Sequence, residues 1–187
     1  MTSREHPMGD GCEHLVRVID GGRRSGTRAD LLAFLQAQRR SVLAIVEGLD
    51  QDAIRQAAVP SGWTPLGMIE HLAHAERFWF QQVILGYADP LPWPPERDHL
   101  DAAAFVSSHE PNHVLALYRD QCHRSDTVLA TIPLSATPSG DVPADMADEI
   151  DSVGTVVLHM IEETARHAGH LDIARELIDG RTGLGPR

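Results

Sequence analysis

The chain has 187 residues and a net charge of −11, from 27 acidic residues against 16 basic ones, every one of which is arginine. Without lysine, Schiff-base chemistry and Walker-type phosphate binding are excluded, and no basic run offers the counterion release on which nucleic-acid binding depends. A hydrophobic share of 42% suits one globular domain with a proper core, and 11 histidines are the compositional excess that points to chemistry.

Residues 1–26 are polar and glycine-rich and read as a leader; residues 27–182 carry the pattern of a folded domain. From Arg28 the apolar positions Leu31, Leu32, Leu35, Val42, Leu43, Ile45 and Val46 recur at helical spacing up to Gly48. Asp50 opens a short helical piece that Pro60 and Gly62 stop. The next segment, SGWTPLGMIEHLAHAERFWFQQVILG, predicts a second long helix with Thr64 as N-cap, Pro65 in its first position and Gly86 at its end. A proline-rich loop around Trp93 follows. A third helix begins near Pro111. A second loop, PLSATPSGDVPADMADEID, leads to a fourth helix capped by Ser152 and ending at Asp179, with Gly180 just beyond.

No stretch alternates apolar and polar residues in the manner of a strand. The expectation is therefore an all-α fold, a four-helix bundle with two long connecting loops that cover one end of it. Cys12 and Cys122 are far apart and form no CxxC, which argues against a disulfide framework and against a thiolate zinc site. No signal-peptide core and no apolar run of about 20 residues occurs, so a cytoplasmic protein away from membranes is expected.

The fourth helix holds the informative residues. With Val153 at zero and about 100° per residue, His159, Glu163, His170 and His167 fall at about 240°, 280°, 260° and 320°, along the edge of the apolar arc. Burying a carboxylate and several imidazoles there costs several kcal/mol unless they are paired or bound to a metal. His159 and His167 are about 12 Å apart along the axis and cannot share an ion. Residues three or four apart sit about 5–6 Å apart at Cβ, so Glu163 with His167, His167 with His170, and His159 with Glu163 are the chelating choices. A buried hydrogen-bond network without metal is the alternative. On the second helix His71 lies near the edge of the apolar arc and His74 further out, while Glu76 falls in its middle, where a structural acid paired with an arginine is the preferred reading. His71, Glu163 and His167 together make a His2Glu set with an open coordination position, which suits zinc and would also take nickel, iron or manganese.

The strings SGWTPLGMIEHLAHAERFWF and HMIEETARHAGHLDIARELIDG resemble the DinB-like superfamily over roughly residues 28–180. More narrowly, they are similar to an uncharacterised actinobacterial branch related to mycothiol-dependent maleylpyruvate isomerase. The resemblance implies a four-helix bundle with a divalent metal between helices, held at His71, Glu163 and His167, and often a homodimer. It leaves His170, His159 and Glu76 as neighbours of the ligands or alternative ligands. Loop tryptophans Trp63 and Trp93 are candidate walls for a substrate, while His99, His109, His113 and His123 read as loop or solvated residues. The function implied is a metal-dependent transferase or isomerase using mycothiol or another low-molecular-weight thiol on a small-molecule electrophile. A non-catalytic metal- or ligand-binding bundle is the alternative.

Overall fold

The structure is a computed structural model that describes residues 28–90 and 105–183; the leader, Trp93 and His99 lie outside them. Its long helices are α1 (Arg28–Val46), α2 (Pro65–Arg77), α3 (Pro111–Thr131) and α4 (Val153–Asp179), with a 3₁₀ turn at Ala53–Arg55 between α1 and α2. The ends follow local chemistry. Thr64 accepts from the Gly67 amide at 3.1 Å, and Pro65 fills the first position, where no amide hydrogen is needed. Ser152 forms a reciprocal capping box with Thr155. Gly180 closes α4 at φ 77°, a left-handed conformation that costs glycine little.

Two apolar clusters fix the helix directions. One gathers Val42 and Ile45 of α1, Leu66, Met68, Ile69, Leu72 and Ala73 of α2, Val114 and Tyr118 of α3, and Ala168 and Leu171 of α4. The other gathers Leu35 of α1, Phe80 and Val83 beyond α2, Val128 of α3, and Val153, Val156, Val157 and Met160 of α4. Helices α1 and α4 thus run one way, and α2 and α3 the other. Arg175 of α4 confirms the first pairing by donating to the carbonyls of Ile45 and Glu47 at the end of α1, at 2.7 and 2.9 Å. The closest packing is α1 on α4 and α2 on α3.

Because α2 and α3 are parallel, their connection must travel the length of the bundle. Near its start, the Asp89 carbonyl accepts from Arg77. At its return, the Phe105 carbonyl accepts from the Thr64 amide at 2.8 Å. The second connection packs at the opposite end, where the amides of Ser139 and Gly140 donate to the carbonyls of Ile84 and Val83. The two loops therefore meet at the end where the second helix finishes, and the first of them, because it joins parallel helices, also reaches the other end at Thr64.

One local departure was also not legible. The second helix does not stay α-helical to Gly86 but widens into a π-helical turn at Phe78–Val83. The wider turn brings Trp79, Phe80, Gln81 and Val83 all into buried positions. Among the described residues, no helix is long and apolar enough to cross a membrane.

Candidate metal centre

Starting α4 at Ser152 places Glu163 and His167 one turn apart on the side that faces α2. Starting α2 at Thr64 places His71 opposite them, in its second turn. Nε2 of His71 lies 3.0 Å from Oε1 of Glu163, and Nε2 of His167 lies 2.9 Å from the same oxygen. The three side chains are nearly buried, at 14%, 18% and 9% exposure for His71, Glu163 and His167. Hydrogen bonds from His167 and then His71 hold the Glu163 carboxyl well below the usual carboxylate range, against desolvation that acts the other way.

One donor atom from each residue lies within 4.8 Å of the other two. Ligands of a tetrahedral ion at about 2.0–2.2 Å are separated by roughly 3.3–3.5 Å, so the two carboxylate–imidazole separations need widen only slightly to admit one. The donor set, two nitrogens and one oxygen, fits a borderline divalent cation and leaves a position open.

The returning crossover closes one side of this cluster. The Phe105 ring meets His71 edge-on, with centroids 4.5 Å apart, and lies 5.8 Å from His167. Gly67 makes that approach possible: a Cβ there would stand 2.1 Å from the Phe105 carbonyl carbon and oxygen. On the other side, Nδ1 of His170 lies 3.3 Å from Nδ1 of His167. The ring of Trp63 sits 6.1 Å from that of His170.

Other candidates are placed elsewhere. His159 packs against Trp79 with centroids 4.5 Å apart and is not among the clustered donors; burial lowers its pKa. Glu76 is fully buried but committed: both its oxygens accept from Arg39, at 2.7 and 2.6 Å, and Oε2 also accepts from Ser125 at 2.7 Å. Arg39 completes the bridge with Asp126 at 2.7 Å. Both oxygens of Glu76 are thus engaged by Arg39 and Ser125, away from the clustered donors. His113 and His123 are exposed.

A second polar group escaped the sequence reading. His74 and Glu70, both buried, lie 3.8 Å apart, and Nδ1 of His109 lies 3.2 Å from Glu70. The four-residue spacing of Glu70 and His74 was a signal. The helical wheel placed His74 outside the apolar arc and did not weigh Glu70, whereas α3 and the returning crossover cover that side.

Solved structures give a fold match: a conserved protein from Enterococcus faecalis, at a TM-score of 0.60 and 15% identity, over 80% of this chain and 95% of that one. No match is found among curated proteins. The family model described as Mycothiol-S-transferase matches residues 30–180, which takes in the four helices except for the first two residues of α1, and the three clustered donors. The chain belongs to the mycothiol-S-transferase family, within the DinB-like fold.

Proposed function

We propose that this chain is a divalent-metal-dependent S-transferase that joins a low-molecular-weight thiol, mycothiol or a close analogue, to a small electrophile. The observation that carries this reading is the convergence of His71, Glu163 and His167 from two antiparallel helices on a single carboxylate oxygen. His71 and His167 would present neutral imidazole nitrogens, and Glu163 its ionised carboxylate. Zinc, or another divalent ion held there, supplies a Lewis acid that stabilises a thiolate at neutral pH.

The protein's own part is placement and exclusion of water. Phe105 shields the imidazoles on one side, so the reacting groups would approach from another. The thiol gives up its proton to solvent, its sulfur forms a bond to the electrophilic carbon, and the leaving group departs with the electron pair of the broken bond. A cytoplasmic location suits this chemistry, since thiols stay reduced there. A homodimer suits the apolar side chains Leu158, Ile173 and Leu177, which are more than half exposed on the outward side of α4. Light scattering that gives a monomer mass would remove that part.

The test begins with metal analysis of the protein expressed in metal-replete medium, beside His71→Ala. About one equivalent of divalent ion in the wild type and loss of it in the variant support the site. Conjugation of mycothiol, and of bacillithiol for comparison, to monochlorobimane then tests turnover. Metal binding without thiol-dependent turnover would leave a binding protein and overturn the transferase reading.

A further inference from the structure

His167 carries two ring nitrogens, and the structure gives each a different neighbour. Nε2 faces the donor cluster, 2.9 Å from Glu163 Oε1, while Nδ1 lies 3.3 Å from Nδ1 of His170. His170 sits one turn further along α4 on an exposed position, beside the ring of Trp63. A 3.3 Å contact between two imidazole nitrogens requires one hydrogen between them; two would clash and none would leave two lone pairs facing.

We propose that His170 is a positioning residue that fixes the ring orientation and tautomer of His167 and so sets the affinity of the centre for its metal. The proposal rests on the metal reading above. A neutral histidine that offers Nε2 to a cation keeps its hydrogen on Nδ1, and that hydrogen needs an acceptor. His170 Nδ1 is the acceptor in place, with the hydrogen of His170 then on its own Nε2. Without an ion, His167 Nε2 donates to Glu163, its Nδ1 is bare, and the same contact is made with His170 as the donor. An imidazole serves in both directions with no movement of either ring. Alanine and phenylalanine serve in neither, while asparagine places an amide near the Nδ1 position and can also serve in both.

The experiment measures zinc affinity by chelator competition in the full-length wild type and in His170→Phe, His170→Ala and His170→Asn. Long-range proton–nitrogen spectra of His167 are recorded in the zinc-loaded proteins. Phenylalanine keeps the ring beside Trp63 and alanine removes it, so the pair separates loss of packing from loss of the hydrogen bond. Zinc affinity is expected to fall about 10–100-fold in both, and to stay close to wild type in the asparagine variant. His167 is expected in the Nδ1–H form in the loaded wild type. Wild-type affinity in His170→Phe and His170→Ala, or His167 found in the Nε2–H form when loaded, would overturn the proposal. A wild type that takes up no zinc, nickel, iron or manganese overturns the metal reading itself, and this proposal with it.

Discussion

Arg39 and Glu76 show how an ionic group can sit at the centre of an apolar bundle. Burial acts against the arginine's charge, but Glu76 more than offsets it, and the pKa of Arg39 is raised. Removing one partner leaves the other charge buried and alone. Glu76→Gln is therefore expected to lower stability by about 3–5 kcal/mol in urea melts, whereas an apolar pair at both positions should recover most of that loss. A single variant no less stable than wild type would show that the bridge is not needed. Cys122 illustrates the opposite case of a group kept neutral. Burial, and then the nearby Glu76 carboxylate, push its thiol well above the ordinary range. A raised thiol pKa means less thiolate at any given pH, so in a Cys12→Ser background iodoacetamide should modify Cys122 slowly from pH 7 to 9. Its rate should match that of an ordinary thiol only once the chain is unfolded. Fast modification of the folded protein at pH 7 would contradict this.

At the scale of single elements, capping chemistry was the most legible part of the chain. Thr64, Pro65, Pro111, Ser152 and Gly180 mark the helix ends in sequence and in structure, because each acts on backbone groups only a few residues away. Ser152→Ala is expected to cost about 1 kcal/mol, read from a shifted urea midpoint. The π-helical turn was not legible, since no residue type at Phe78–Val83 announces it. The role of Gly67 was hidden because its neighbour, Phe105, is a part of the chain that returns only after the crossover. A methyl group at Gly67 must push the Phe105–Val106 backbone away from α2. Gly67→Ala should destabilise the protein by about 1–3 kcal/mol. It should also weaken metal binding, because Phe105 leaves His71. An unchanged melting temperature would refute the close approach.

Across the whole molecule, the all-α class and the number of helices were readable from periodicity, but the helix directions were not, because an apolar stripe has no sense along its axis. That His71, Glu163 and His167 come together was legible because imidazoles and a carboxylate lay along a packing edge, where the burial cost is informative. The pairing of Glu70 with His74 and His109 was overlooked because α2 is covered on more sides than one stripe suggests. Zinc should raise the melting temperature of the wild type and not that of His71→Ala. At a free-ion concentration of 100 times Kd the gain would be about 2.7 kcal/mol. Equal shifts in both proteins would place the ion elsewhere.

His71 and Glu163 are 92 residues apart in the chain, on two helices that face each other in the bundle. Such a contact closes a long loop, and the entropy of that closure leads us to expect that it forms after the nucleus that sets the folding rate. An ion gripped there would act as a latch: refolding should proceed at the same speed with or without zinc, while unfolding becomes slower in its presence. The centre would then govern the lifetime of the folded protein as well as its chemistry. Stopped-flow refolding that accelerates with zinc would show instead that α2 and α4 come together early.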